Sequence, residues 1–304
     1  MSGTATEARH GKAEGLDALP ARDILGLLVS GQQVAAQAVA PATPSIEAGA
    51  DLVARAIRGG RKLVYAGAGS SGLMAMADAL ELPGTYGIPT EQIVVLLAGG
   101  VASLTDLAGG PEDEVALAEK DAEVVGPGDC VICVSASGST PYAVVVAAAA
   151  RKRGAAVIGL ANNPGARLFA HVDISILLET PPEVIAGSTR MGAGTAQKIA
   201  FNMLSTLAAV KLGHVHDGHM VNLLADNDKL RARAVRMVAE IAVVEAAEAS
   251  RLLDAASGSV KVAILLSAGA SDAQAARAAL VRSGGMLRPA LAEFDEITSF
   301  RKRA

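Results

Sequence analysis

One unit recurs along this chain and leaves few folds open to it: a short apolar run ends in small residues, and a helical stretch follows. Lys62 to Ala66 leads into Gly67-Ala68-Gly69-Ser70-Ser71-Gly72, and Cys130 to Val134 into Ser135-Ala136-Ser137-Gly138-Ser139-Thr140. Ile93 to Leu97 runs into Ala98-Gly99-Gly100, and Ala156 to Leu160 into Ala161-Asn162-Asn163-Pro164. Ile174 to Leu178 supplies a fifth run. Strands apolar at nearly every position, alternating with helices, predict a parallel sheet covered on both faces. The 304 residues suffice for such a domain and a smaller attachment. Hydrophobic residues make up 51% of the chain but aromatics only 2%, a mixture suited to tight helix-on-sheet packing.

The flanking segments read as helices. From Thr6 to about Ala40 the chain is polar and then helical, with Pro20 breaking the start. A second helix is expected from Ser45 to Arg58, where Ile46, Ala50, Val53, Ala54 and Ile57 share a face and Gly59-Gly60 ends the run. Thr195 to Leu212 repeats Ile199, Met203, Leu207 and Val210 near 3.6 residues and should pack on the sheet. Beyond about residue 222 the character changes. Asn227 to Ala256 is charged and Ala-rich, one or two helices. Val260 to Leu266 could be strand or helix and is read as helix. Asp272 to Arg282 is a helix stopped by Gly284-Gly285, and the charged tail after Leu291 is expected to be loose. The expected organisation is an N-terminal arm and helix (1–44), a sheet domain (45–221) and a small helical domain (222–304).

Several function classes drop out. A net charge of −4 without a long Lys/Arg run argues against a nucleic-acid partner. Met1 to His10 lacks the layout of a signal peptide, and no apolar run reaches the roughly 18 residues of a membrane span, so the expected compartment is the cytoplasm. Cys130 and Cys133, the only cysteines, form a C-x-x-C, but residues three apart in a strand face opposite ways, which argues against a redox or zinc pair. His214, His216 and His219 beside Asp217 have irregular spacing and suit a turn or interface better than a metal.

The loops after the first and third strands carry the chemistry. Glycines and small hydroxyl residues there let backbone N–H groups and hydroxyls surround an anion at a helix N-terminus, as a phosphate requires. Gly67-Ala68-Gly69-Ser70-Ser71-Gly72 also matches Gly-x-Gly-x-x-Gly. The acid that should hold a dinucleotide ribose is missing, however, since only Glu91 is nearby and it precedes the second strand. In Ser135-x-Ser-Gly-x-Thr140, a helix N-cap accounts for one hydroxyl and leaves the others unexplained. Glu81 and Glu112 each follow a strand-and-loop unit and could form an acid–base pair, although Glu112 to Glu114 would equally suit a solvated helix start.

Taken with Glu81-Leu-Pro-Gly-Thr-Tyr-Gly87, Gly110-Pro-Glu-Asp113, Asn163-Pro164 and Gly187-Ser-Thr-Arg-Met-Gly-Ala-Gly-Thr-Ala-Gln-Lys198, these loops make the chain resemble the N-acetylmuramic acid 6-phosphate etherases. The resemblance runs from Thr6-Glu-Ala-Arg9 to Gly284-Gly-Met-Leu-Arg288. The 187–198 segment also marks the related glucokinase regulatory proteins. It implies an α/β fold of the sugar isomerase (SIS) type, a three-layer sandwich with a five-stranded parallel sheet, plus a small helical C-terminal domain. It further implies a homodimer with active sites near the subunit interface.

By resemblance, Ser70, Ser71, Ser135, Ser137, Ser139 and Thr140 hold the 6-phosphate of an amino sugar. Glu81 matches the catalytic acid and Glu112 the second catalytic glutamate. Gly69, Ser188, Thr189, Arg190 and Lys198 are further substrate-site candidates. No metal or redox cofactor is implied. The implied reaction releases D-lactate and N-acetylglucosamine 6-phosphate, in cell-wall amino sugar recycling. Leu73, Ser139 and Gly192 stand where the family usually has basic residues. Phosphosugar isomerisation and non-catalytic sugar-phosphate sensing are the alternatives.

Overall fold

The architecture comes from a computed structural model, described for residues 5–105, 110–223 and 227–301. Two compact units form. The first takes in Met1–Leu80 and Glu91–Leu207, the second Glu81–Thr90 and Ala208–Ala304.

The first unit is built on β1 (Leu63–Gly67), β2 (Ile93–Leu97), β3 (Cys130–Ser135), β4 (Ala156–Ala161) and β5 (Ile174–Leu177). All pairings are parallel, in the order β2-β1-β3-β4-β5, with Leu63 beside both Ile93 and Cys130. Around the sheet are α1 (Ala21–Gln37), α2 (Thr43–Arg58), α3 (Gly69–Tyr86), the single turn α4 (Gly110–Asp113), α5 (Val115–Asp121), α6 (Pro141–Lys152) and α7 (Gly192–Lys211).

The apolar runs are continuous because both sheet faces are covered. Val64, Ala66, Val131, Cys133 and Val157 pack against Tyr142, Val146 and Ala147 of α6 and Ala118 of α5. On the other face the Tyr65 ring lies 5.9 Å from that of Phe201 on α7. A Cβ on Gly49 of α2 would come within 2.9 Å of Leu204 and 3.4 Å of Ile158, so glycine there lets α2 lie close. The result is the expected three-layer sandwich, in which each fully buried aliphatic side chain contributes about 1.5–3 kcal/mol.

From adjacent strands the chain departs in opposite directions, β1 connecting to the edge strand β2 and β3 to β4. A crevice opens at such a divergence, beyond the carboxyl ends of the strands.

α1 differs from the other long helices. Only Ala35 is buried on it, while Leu25 is 61% and Val29 57% exposed. Its tie to α7 is a hydrogen bond from Thr195 Oγ1 to Gln32 Oε1. The expectation that no stretch is apolar enough for a membrane span is corrected here. Ala21–Arg58 contains an 18-residue stretch with a mean hydropathy of 1.2, long and apolar enough by length and composition. A 3-10 turn at Ala40–Ala42 divides it, and α2 buries Ile46, Val53 and Ile57, so the composition of α2 reflects core packing.

The second unit holds α8 (Asp228–Ala242), α9 (Ala246–Ala255), α10 (Val260–Ser267), α11 (Ala273–Arg282) and α12 (Leu287–Arg301). Side-chain caps start three of them: Asn227 accepts from Leu230 N–H, Ser259 from Val262 N–H and Asp272 from Ala275 N–H. The Asn227–Ala256 stretch becomes two helices because Val243 turns to φ 54°. Val260–Leu266 is helical, and its strand-like composition reflects burial among α8, α9, α11 and α12. The tail after Leu291, expected to be loose, instead continues α12 to Arg301. Leu287, Ala290 and Phe294 recur on one face and anchor it in the helical core. Lys302 to Ala304 lie outside the described residues. His216 and His219 exchange backbone hydrogen bonds across a tight turn, and Asp217 within it pairs with Arg288.

Candidate active site

The loops after β1 and β3 close around a cavity of about 370 Å³ in the first unit. Both loops end in helix N-termini, so two helix dipoles and their free N–H groups favour an anion there. α3 opens at Gly69, directly after β1. A Cβ on Gly72 would fall 2.5 Å from Leu97 and 2.9 Å from the Gly67 carbonyl carbon, so this tight start needs glycine. Gly138, at φ 70° and with Ala166 filling the space of a Cβ, sets the second loop.

The hydroxyls of the second loop are bonded to one another. Ser135 Oγ lies 3.2 Å from Ser137 Oγ and 2.9 Å from Thr140 Oγ1, while Gly138 N–H donates to Ser135 Oγ and Ser139 N–H to Ser137 Oγ. Thr140 occupies the N-cap position of α6, yet its side chain makes no capping hydrogen bond. These hydroxyls form a cluster facing the cavity, and capping does not account for them.

Of the residues singled out from sequence, Gly69, Ser70 and Ser71 line the cavity from the β1 side, and Ser135, Ser137 and Thr140 from the β3 side. Glu112 and Thr189 complete that set. Ser139 takes part through its backbone. Ser188 and Arg190 sit in the turn before α7, and Lys198 is exposed on that helix. Glu81 is exposed on the later part of α3 and is not among the lining residues.

Glu112, on α4, is half-buried. Burial first, and then the neighbouring Asp113 charge, raise its pKa above the ordinary carboxylate value. A carboxylate so shifted is a better proton acceptor than one in water.

Three contributors escaped the sequence reading. Asn163, in the loop just after β4, donates from Nδ2 to the carbonyls of Ala136 and Ser137 and so braces the hydroxyl loop. The same amide joins Thr6 of the N-terminal arm, Nδ2 donating to Thr6 Oγ1 at 2.9 Å and Thr6 N–H to Oδ1 at 3.3 Å. Glu7, next to Thr6, lines the cavity. Both segments, Thr6-Glu-Ala-Arg9 and Asn163-Pro164, belonged to the pattern of resemblance, but nothing local in them marked a role.

Asp78 is the third. Its carboxylate, buried on α3, accepts from Tyr65 Oη at 2.8 Å, Asn202 Nδ2 at 2.8 Å and Ser205 Oγ at 3.0 Å, joining β1, α3 and α7. Burial raises its pKa despite these donors, and raises that of Tyr65. An acid on the face shared by Ala75, Ala79 and Leu82 was the available signal.

Known proteins resemble this chain along most of its length. Residues 29–162 match the SIS domain. An N-acetylmuramic acid 6-phosphate etherase of Deinococcus radiodurans is 41% identical over 96% of this chain and 96% of its own length. One of Streptomyces coelicolor is 42% identical over 94% and 93%.

The chain belongs to the N-acetylmuramic acid 6-phosphate etherase family.

Among solved structures, a proposed phosphosugar isomerase involved in capsule formation from Bacteroides fragilis superposes with a TM-score of 0.50 at 25% identity. The match covers 65% of this chain and 93% of that one. Against the etherase pattern, the glycine at 192 has a local reason. Glu183 is buried and accepts from Gly192 N–H at 2.9 Å and Ala193 N–H at 2.8 Å, capping α7. A Cβ at 192 would lie 3.1 Å from that carboxylate and 3.2 Å from Ala35 of α1. The lysine common in etherases would therefore need one of these neighbours to give way.

Proposed function

We propose that this protein cleaves the D-lactyl ether of N-acetylmuramic acid 6-phosphate, giving N-acetylglucosamine 6-phosphate and D-lactate. The observation that carries this reading is Glu112 standing in the same cavity as the hydroxyls of Ser71, Ser135, Ser137 and Thr140. A carboxylate of raised pKa beside several hydroxyls and two helix N-termini, in a chain of the etherase family, supports the reading.

In the open-chain sugar the C2 proton is α to the aldehyde, and the lactyl ether oxygen on C3 is β to it. Glu112 takes the C2 proton, the electron pair forms the C2–C3 double bond, and the C3–O bond breaks. The leaving lactyl oxygen takes a proton from Glu81. Water then adds at C3, giving a proton to Glu81, while C2 recovers its proton from Glu112. Each acid–base group contributes about 10² to 10⁴ in rate, and the held phosphate supplies orientation. Ser70, Ser139, Ser188, Arg190 and Lys198 complete the proposed substrate contacts.

A cytoplasmic homodimer goes with this reading, and the exposed Leu25, Val29 and Val34 of α1 suit a subunit contact. The test is D-lactate release from N-acetylmuramic acid 6-phosphate by the purified protein, with Glu112→Gln and Glu81→Gln alongside. Release by the parent and its loss in both variants is expected. A ketose phosphate without lactate would make the protein an isomerase, and binding without turnover a sensor.

A further inference from the structure

Glu7 brings a second carboxylate to the cavity, and none of the described residues lining that cavity is basic. A carboxylate cannot hydrogen-bond a phosphate dianion and repels it, so Glu7 works against the anion if it serves the phosphate at all. Its placement is nevertheless built into the fold. Thr6 is buried and tied through two hydrogen bonds to Asn163, whose side chain also holds Ala136 and Ser137. The position of the arm is thereby set by the same amide that sets the hydroxyl loop. On its other side the Glu7 carboxylate lies against Gly187, where an added Cβ would sit 3.5 Å from Oε2. The carboxylate thus stands in van der Waals reach of the start of the Gly187–Arg190 turn, where φ 74° favours the glycine. Glu7 itself is exposed, and its carboxylate has no hydrogen bond or ion pair among the described residues. Its acceptor capacity is open to whatever occupies the cavity.

We propose that Glu7 is a substrate-binding residue that accepts a hydrogen bond from a neutral O–H or N–H donor of the sugar, away from the phosphate. The inference rests on the reading of the cavity as a phosphosugar site and adds a specificity element to it. A ligand offering only an anion meets repulsion at Glu7, whereas one offering an anion and, some ångströms away, a neutral donor satisfies both ends of the cavity. The N-terminal arm is then one wall of the site.

The test is calorimetric binding of two probes, N-acetylglucosamine 6-phosphate and inorganic phosphate, to the parent protein, Glu7→Ala and Glu7→Gln. Loss of a charge-assisted hydrogen bond is expected to weaken the sugar phosphate about tenfold or more in Glu7→Ala. Inorganic phosphate should bind that variant as well as the parent or better, because a repelling charge is gone. Glu7→Gln, whose amide oxygen still accepts, should keep most of the sugar affinity. Equal weakening of both probes by Glu7→Ala would mean that Glu7 only supports the arm, and unchanged sugar-phosphate binding would mean that it touches no sugar. Either result overturns the proposal while leaving the phosphosugar reading intact. A parent protein that binds neither probe overturns both.

Discussion

Lys261 offers a quantitative check on the second unit. It is buried in α10, and its Nζ donates to the Gly285 carbonyl at 3.1 Å. Burial lowers its pKa from the ordinary 10.5 to about 8. At about 1.4 kcal/mol per pKa unit, the charged form is then about 3 kcal/mol less favourable in the fold than in the unfolded chain. The folded value is the depressed one, so the penalty is absent well above pH 10.5, builds as pH falls towards 8, and is fully present below that. Lys261→Met keeps the length of the stem and removes the charge, at the cost of about 1 kcal/mol for the lost hydrogen bond to a partly exposed carbonyl. The variant should therefore be about 2 kcal/mol more stable than the parent at pH 7. By pH 10.5 it should be no more stable than the parent. Urea unfolding of both proteins at the two pH values measures this directly. A stability difference that is the same at both would refute the claim that a buried charge is the cause.

Further outcomes are expected elsewhere. Asp113→Asn removes one of the two causes that raise Glu112, so the acid limb of the pH–rate profile should move to lower pH; an unmoved limb would separate Glu112 from the base role. Asp78→Ala leaves the Tyr65, Asn202 and Ser205 donors without their acceptor and should cost about 2–4 kcal/mol in denaturant unfolding. Because burial raises Asp78 above 3.8, its contribution is greatest below that pH and is lost as pH rises through the folded value; Asp78→Asn should abolish that slope. Burial pushes the Cys130 thiol up to about 12 and raises Cys133 as well, so iodoacetamide at pH 8 should label neither in the native protein and both in urea, as mass spectrometry would read.

How much of this was legible depends on the range of the interaction concerned. The five strands stood out because cover on both faces makes them apolar at every position, and the hydroxyl loops because serine and glycine at strand ends have few structural uses. α10 was ambiguous since a helix buried all round has no polar face to reveal its period. The end of α12 was missed because Leu287, Ala290 and Phe294 are sparse among charges, and their partners lie on other helices. Glu7 reaches the cavity through a contact between Thr6 and Asn163 that spans 157 positions, which no window along the chain can contain.

Among the described residues, none on the cavity wall is basic. With hydroxyls, backbone N–H groups and two helix N-termini as the only anion-binding groups among the described residues there, the proposed function has the phosphate held by short-range donors and fixed dipoles, not by a mobile cation. Such donors act at contact distance, so phosphosugar affinity should depend only weakly on salt. Position 139 allows this to be tested, because Ser139 contributes through its N–H to Ser137 Oγ and any residue there can keep that bond. Ser139→Arg adds the guanidinium common at this point in the family, keeps that backbone donor and gives up only the Ser139 hydroxyl, which is not among the residues lining the cavity. At low ionic strength it should lower KM about two- to fivefold, the typical worth of a partly exposed ion pair. The gain should fade as salt rises, since screening acts within about 10 Å at 0.1 M. An arginine variant with unchanged KM, or a parent protein whose KM already climbs steeply with salt, would show that a cation outside the cavity wall supplies the attraction instead.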